Sequence, residues 1–176
     1  MNSYKSASNQ LNRNYLKIKN ELVSINDCLN RVAASDIVSN TNYPAGDNTA
    51  LDGFAVNSKE TKNLSKNRSQ KFKIIKILAA GDNPNIKGVK KYSAVEIMTG
   101  AIIQKPFDTI IPVEEIEYFP NKTYAKYIVI KKKLKKFEFI RPKGSDYKKG
   151  SKIIKKGQLI YPSHILALKT LGIEKV

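Results

Sequence analysis

The stretch YPAGDNTALDGFAV, residues 43–56, places turn-forming and acidic residues directly before an apolar segment. Its first part is rich in the residue types of tight turns, and GFAV (53–56) is typical of a strand. The chain holds 32 lysines and arginines, yet none lies within residues 42–57, where Asp47 and Asp52 stand. Taken alone, the stretch predicts a turn that leads into a sheet.

The region that follows, up to about Ile140, contains several short strand-like runs separated by Gly, Pro, Asn or Asp. They are GFAV, FKIIKILAAG, AVEIM, DTIIPV, AKYIVIKKK and KFEFI. Several alternate apolar with polar residues, a rhythm typical of a small antiparallel barrel or sandwich. A change of phase at Ile74 and Ile75 predicts a β-bulge.

Helical patterns flank this region on both sides. Before it, a helical spacing of apolar residues within 10–22 predicts one helix, and Ser24 followed by Asp27 predicts the capped start of a second. The apolar positions are Leu11, Tyr15, Ile18 and Leu22 in the first, and Cys28, Leu29, Val32 and Ala33 in the second. The segment SDIVS (35–39) predicts a short strand.

After the β-region, residues 151–176 predict a strand, a turn at Lys156 and Gly157, a second strand, and a helix. Pro162 and Ser163 mark the start of that helix, and Gly172 is a typical stop. We therefore predict an α+β, mostly β fold, with a small β-barrel inserted into a discontinuous helix–strand subdomain. The predicted boundaries are a helical arm at 1–23, a linking subdomain at 24–42 with 141–176, and a barrel at 43–140.

Composition limits the classes of function. With 176 residues and 41% hydrophobic content, the chain predicts a folded protein rather than a disordered one. One cysteine, Cys28, cannot form an internal disulfide, which favours a reducing cytoplasm. The first twenty residues lack the apolar core of a signal peptide, and no apolar run is long enough to span a membrane.

The net charge of +17 predicts attraction to anions, including nucleic acid and acidic lipid. Only four of the 32 cations are arginine, the residue favoured for base-edge reading and bidentate phosphate contacts. The best local cluster, KKKLKKF (131–137), is equally typical of a solvated hairpin. We predict no specific nucleic acid and no membrane partner.

Standard catalytic motifs are absent from the sequence. His164 is the single histidine, and its place near a helix start favours capping or a surface position. One cysteine and one histidine exclude a structural zinc site. The sequence has no phosphate-binding or dinucleotide-binding glycine motif and no nucleophile elbow.

Three polar patches remain: Asp52-Gly53 before the strand FAV, IMTGA (97–101), and RPKGSD (141–146). Each is a weak signal alone, because a turn, a strand end and a hinge explain them equally well. The hydroxyl of Thr99 and the unhindered backbone of Gly100 are compatible with an anion cradle.

Together the patches are more specific. The segments PAGDNTALDGFA (44–55), AAGDNP (79–84), IMTGA (97–101), RPKGSD (141–146) and LIYPSHILALKTLGIEKV (159–176) closely resemble the molybdopterin molybdenumtransferase family, which includes MoeA-type enzymes and the gephyrin E domain. Their order and spacing match from Leu22 onward. The resemblance implies an elongated protein with a barrel inserted into a linking subdomain.

The resemblance also implies the activity. Family members insert molybdate into adenylated molybdopterin and release AMP with the assistance of Mg²⁺. It further implies a cytoplasmic homodimer with the active-site cleft between subunits. Other proteins of molybdenum-cofactor assembly are candidate partners.

Carried over by motif, the implied catalytic residues are Asp52, Thr99 and Asp146. The implied substrate-binding residues are Asn48, Thr49, Gly53 and Gly100. Because like charges repel, the carboxylates would act on anions through Mg²⁺, through water or through cationic neighbours. No metal ligand is assigned, although Asp52 could reach a magnesium ion directly or through water.

Two departures from the family pattern stand out. After IMTGA the family has a Pro-rich, Gly-containing loop, whereas this chain reads IIQKPFD (102–108). Ser145 stands where the family commonly has Glu.

The resemblance implies further domains, including a pterin-binding α/β domain, that are not within these 176 residues. We therefore expect this piece to be inactive alone. The alternative functions are a free-standing binding or dimerisation module and, third, a basic nucleic-acid-binding barrel.

Overall fold

The computed structural model describes residues 3–14 and 18–176. The chain forms two compact units, one from Met1–Val38 with Lys152–Val176 and the other from Ser39–Ser151. The second unit is therefore inserted into the chain of the first. Within the described residues, no helix is long and apolar enough to cross a membrane.

The regular elements are short. They are α1 (Tyr4–Arg13), β1 (Ile37–Val38), β2 (Asn48–Thr49), β3 (Gly53–Val56), β4 (Gln70–Leu78), β5 (Ser93–Ile97), β6 (Thr109–Pro112), β7 (Glu117–Phe119), β8 (Tyr127–Ile130), β9 (Ile140–Arg141), β10 (Lys152–Ile154) and α2 (Pro162–Thr170). Two single 3₁₀ turns lie at Ser58–Thr61 and Val113–Glu115. The predicted mostly β fold with helices is confirmed.

A curled six-stranded sheet in the order β6-β3-β5-β4-β8-β7 forms the body of the inserted unit. The register of β4 against β5 shifts between Ile74 and Lys76, which confirms the predicted bulge. However, β4 and β5 run parallel, so the expectation of a wholly antiparallel sheet is wrong at this pair. The long segment between them supplies the crossover that a parallel pair requires.

The interior strand β3 is buried on both faces of the sheet. Phe54 and Val56 pack into one apolar cluster with Phe72, whereas Ala55 packs into another with Val95. Successive side chains of a strand point to opposite faces, so one four-residue strand supplies both clusters. This is why GFAV is apolar throughout and does not alternate.

The prediction of a strand at KFEFI is wrong. Residues 136–139 form turns, and only Ile140 enters a strand, β9. Phe137 and Phe139 have positive φ values of 64° and 57°, which an extended strand cannot accommodate. The apolar–polar alternation here reflects a tight turn.

The first unit contains a third apolar cluster built around Cys28, Ile154 and Leu168. The predicted second helix is absent, because residues 24–33 form turns and isolated bridges. The Ala33 N–H donates to the Gln158 carbonyl at 2.9 Å, and the Asn30 N–H donates to the Ile160 carbonyl at 3.0 Å. Distant chain thus satisfies the backbone groups that a helix would have paired locally.

The first predicted helix lies earlier than expected. The structure has α1 at Tyr4–Arg13, with none of its residues buried. Ile18 and Leu22 belong to a segment without regular structure and are exposed. Tyr15 lies outside the described residues.

The helix predicted near the C-terminal end of the sequence is confirmed. The helix α2 begins at Pro162 and is followed by Gly172 with φ of 68°, which confirms the predicted start and stop. The strand predicted from SDIVS is confirmed as β1, which pairs with β10. The strand predicted after Gly157 is reduced to one bridge between Leu159 and Val32.

Candidate functional site

The sheet brings the first two polar patches together. Asp52 immediately precedes β3, and Thr99 follows β5 closely. The two strands are antiparallel, with Gly53 opposite Ile97, so the start of one lies beside the end of the other. Residues separated by more than forty positions in sequence therefore meet at one edge of the ladder.

At this edge Thr99 holds the carboxylate of Asp52. The Thr99 backbone N–H donates to Asp52 Oδ1 at 2.8 Å, and the Thr99 hydroxyl donates to the same oxygen at 3.0 Å. Hydrogen bonds to an ionised acceptor are among the stronger ones in proteins. Thr99 therefore fixes the orientation of Asp52, whose side chain is exposed.

The second carboxylate oxygen of Asp52 accepts no hydrogen bond from the part of the chain that the structure describes. The absence of cations in residues 42–57 fits this arrangement, since Asp47 and Asp52 are held by neutral donors. Asp47 Oδ1 accepts the backbone N–H of Lys143 at 2.8 Å.

Three N–H groups of the IMTGA turn donate to acceptors within the inserted unit. Thr99 N–H is bound to Asp52, Gly100 N–H donates to the Thr49 carbonyl at 2.9 Å, and Ala101 N–H donates to the Met98 carbonyl at 2.9 Å. These three groups therefore build the turn that carries Thr99. Gly100 has φ of 85°, which explains the glycine.

Thr49 and Gly53 shape the same edge. The Thr49 hydroxyl donates to the Leu51 carbonyl at 2.6 Å, and its side chain is buried. At Gly53, a Cβ atom would lie 2.4 Å from the carbonyl oxygen of Ile111 on β6. Both residues fix the backbone around Asp52.

Asn48 is the unusual member of the set. It is 8% exposed, and its Oδ1 has no hydrogen-bond partner among the described residues. Its backbone pairs with Arg141 in the β2–β9 ladder and forms a bridge with Ile102. An unpaired buried acceptor costs about 1–3 kcal/mol, so this amide is energetically conspicuous.

Asp146 lies in a separate arrangement. Its carboxylate forms an ion pair with Arg141 and accepts the Ser145 hydroxyl at 3.2 Å, while its N–H donates to the Tyr43 carbonyl at 3.1 Å. Among described residues, no hydrogen bond joins Asp146 to Asp52 or Thr99. Instead, the β2–β9 ladder connects the two arrangements through Asn48 and Arg141.

Sequence reasoning named RPKGSD as a patch but assigned no role to its arginine. The R-x-x-G-x-D spacing was the available signal: it lets the chain turn back so that Arg141 and Asp146 pair. Gly144, at φ of 69°, allows that turn, and its N–H donates to the Pro44 carbonyl at 2.9 Å.

A magnesium site needs several oxygen ligands gathered in one place. Within residues 3–14 and 18–176, no group of three or more histidine, cysteine, aspartate or glutamate side chains could hold a metal ion. Asp52 stands alone and Asp146 is paired with a cation, so these side chains do not fit a complete magnesium site.

Comparison with known proteins agrees with the geometry. The family described as MoeA N-terminal region (domain I and II) matches residues 2–172. This chain belongs to that family. The family resemblance predicted from the motifs is therefore confirmed.

Two curated relatives are named molybdopterin molybdenumtransferase. The protein of Staphylococcus aureus (strain Mu50 / ATCC 700699) is 36% identical over 155 residues, covering 88% of this chain and 35% of the relative. That of Bacillus subtilis (strain 168) is 31% identical over 156 residues, covering 89% of this chain and 36% of the relative. The chain thus spans about a third of the length of these relatives.

A solved structure also matches. The crystal structure of molybdopterin biosynthesis moea protein from Pyrococcus horikosii has a TM-score of 0.80 and 32% identity, covering 89% of this chain and 38% of that one. The half-barrel and its discontinuous partner unit are therefore the fold of this family's N-terminal region.

Proposed function

We propose that this chain forms part of an enzyme that inserts molybdate into adenylated molybdopterin and releases AMP. Support comes from family membership over residues 2–172 and from relatives named molybdopterin molybdenumtransferase. The single observation that carries the proposal is the double hydrogen bond from Thr99 to Asp52, which unites two of the family motifs.

In this proposal Asp52 is the carboxylate that contacts the substrate or a water molecule. Thr99 occupies one of its oxygens, and the other accepts no bond from the described residues. That second oxygen can accept a proton or a hydrogen bond from substrate or water. It would not contact molybdate or phosphate oxygens directly, because like charges repel.

Asp146 acts through Arg141. A guanidinium held by a carboxylate keeps a fixed direction, and arginine suits anionic oxygens. Because the two are ion-paired, we propose that Asp146 positions Arg141 toward an anionic group of the substrate. Asn48, Thr49, Gly53 and Gly100 then shape the surrounding backbone.

The proposed enzyme works as a homodimer, as the resemblance implies, and other proteins of molybdenum-cofactor assembly are proposed partners. The 176 residues alone are proposed to be inactive in insertion, since they correspond to 35% of a relative.

The test is Asp52→Asn in an enzyme of the relatives' full length that carries this region. Loss of a positioned proton acceptor lowers rates by roughly 10²-fold or more, so insertion of molybdate should fall by that amount. Thr99→Val, which removes the hydroxyl but keeps the N–H, should give a smaller loss than Asp52→Asn. The readout is molybdenum cofactor formed from adenylated molybdopterin and molybdate, with AMP quantified.

The matched control is Asp27→Asn. It removes the same charge from an exposed residue of the first compact unit, outside the family segments quoted above. It should leave insertion unchanged. Full activity of a folded Asp52→Asn enzyme would overturn the role of Asp52, and product from the 176 residues alone would overturn their proposed inactivity.

A further inference from the structure

The inserted unit also contains a cavity of about 380 Å³ that is lined by both apolar and charged residues. Its apolar wall includes Ile103, Phe107, Phe137 and Ile140. None of the seven candidate site residues lines it. The cavity instead uses the loop IIQKPFD, where the sequence departs from the family pattern.

The wall is held in place before any ligand arrives. The Phe137 N–H donates to the Asp108 carbonyl at 2.7 Å, and the Ile110 N–H donates to the Glu138 carbonyl at 3.1 Å. These bonds fix the turn that contains Phe137 to the start of β6. Preformed pockets bind with a smaller ordering cost.

Phe137 is not explained by core packing. Its φ of 64° is uncommon for a bulky residue, and 56% of the residue is exposed. By contrast, Phe107 is 5% exposed and forms part of the apolar core beneath the cavity. The two rings together give the cavity an aromatic surface that faces a ligand or solvent.

The rim is cationic. Lys59, Lys105 and Lys136 line the cavity and are exposed, and no carboxylate of the described chain lies within 4.0 Å of their ammonium groups. Two carboxylates also line it, but both accept backbone N–H groups. Asp108 is bound by Ser58 at 2.7 Å, and Asp47 by Lys143 at 2.8 Å.

We propose that this cavity binds a small planar aromatic anion. The ring of the ligand packs against Phe107 and Phe137, because aromatic pairs favour stacked or edge contacts. Its negative charge is attracted by the three exposed ammonium groups, of which that of Lys136 lies 4.7 Å from the centre of the Phe137 ring. The volume lies near the lower end of ligand pockets, which suits a ligand of one or two rings.

Phenyl phosphate is the probe, with inorganic phosphate and phenol as its two halves. In a ¹H–¹⁵N NMR titration of the chain, we expect saturable shifts at the amides of Lys105, Phe107 and Phe137. Each half should bind at least tenfold more weakly than phenyl phosphate. Equal binding of inorganic phosphate, or shifts scattered over the lysine-rich surface, would overturn the proposal.

Variants assign the contacts. Lys105→Gln should weaken phenyl phosphate by about fivefold, the scale of an exposed ion pair. Phe137→Asn, which tolerates the same backbone conformation, should weaken it by about tenfold. Lys133→Gln removes the same charge outside the cavity and should change nothing. A loss with Lys133→Gln equal to that with Lys105→Gln would show general charge attraction and refute the site.

Phe137→Asn is interpreted through its amide spectrum, which reports folding independently of binding. The proposal also fails if a folded Phe137→Asn chain binds phenyl phosphate as tightly as the original chain.

Discussion

Gly53 lies where β3 leaves no room for a side chain beside the backbone of β6. A Cβ atom there would lie 2.4 Å from the carbonyl oxygen of Ile111, a distance that real Cβ atoms do not show. The carbonyl belongs to the neighbouring strand and cannot rotate aside. The glycine of the D-G pair is therefore required by packing, with Asp52 placed beside it.

We predict that Gly53→Ala destabilises the inserted unit by about 3 kcal/mol, because overpacking of this kind costs roughly 1–3 kcal/mol and backbone gives little. Gly46→Ala is the matched control. Its Cβ would lie 2.9 Å from Ile102 Cγ2, a side-chain atom that can move. Urea unfolding followed by circular dichroism measures both, and equal losses would contradict the argument.

Sequence reasoning named the residues of this edge but not their contacts. The Thr99 hydroxyl was described as compatible with an anion cradle, and in the structure it donates to the carboxylate of Asp52. The pairing depends on the β3–β5 register, which a motif does not specify. The unpaired Asn48 Oδ1 also follows only from burial.

At the scale of elements, the side chain of the single histidine accepts a backbone hydrogen bond at the start of α2. The Tyr161 N–H donates to His164 Nδ1 at 3.0 Å, three positions into the helix. This is the geometry of a capping box with histidine as the acceptor. The expectation that His164 caps rather than catalyses is consistent with this contact.

We predict that His164→Ala lowers the free energy of unfolding by about 1 kcal/mol, the usual effect of losing a cap. Ser163→Ala, at an exposed neighbour, should have little effect. His164→Gln supplies another acceptor and should recover part of the loss. Urea midpoints measure all three, and identical midpoints for His164→Ala and Ser163→Ala would contradict the capping role.

Strands were easier to predict than the chain around them. The runs from GFAV to AKYIVIKKK appear as β3 to β6 and β8, because buried apolar runs bounded by turns leave few alternatives. The helix predicted within residues 24–33 was wrong because the backbone partners of this segment include Gln158 and Ile160, far along the chain. Local periodicity cannot report such partners.

At the scale of the whole molecule, acid should weaken the discontinuous unit through Asp36. The Lys152 ammonium, at 2.6 Å, holds the pKa of Asp36 below its usual value, and the Lys156 backbone N–H adds to this. A lowered pKa contributes stability above the unfolded value, near 3.9, and loses it as the pH falls through the folded value.

We therefore predict that Asp36→Asn is less stable than the original chain at pH 7, with a difference that shrinks below about pH 4. Asp27→Asn removes the same charge, but the carboxylate of Asp27 forms no hydrogen bond or ion pair within the described part of the chain. It should leave the acid slope intact. Thermal unfolding between pH 2.5 and 7 measures the slopes, and a slope unchanged in Asp36→Asn contradicts the assignment.

The pKa of Glu60 is shifted in the opposite direction to that of Asp36. Burial raises its pKa, and the Tyr92 backbone N–H offsets part of that rise. Its contribution to stability therefore decreases as the pH rises through that pKa, which is the reverse of Asp36.

The insertion of Ser39–Ser151 between the two segments of the first unit also sets the order in which the protein can mature on the ribosome. The half-barrel has all its strands once residue 151 has emerged, so it can fold during translation. Residues 23–33 must wait, because Val23, Ile25 and Ala33 pair with chain near Val176, Glu174 and Gln158. The apolar residues of this segment thus stay uncovered on the nascent chain while the whole inserted unit is being made.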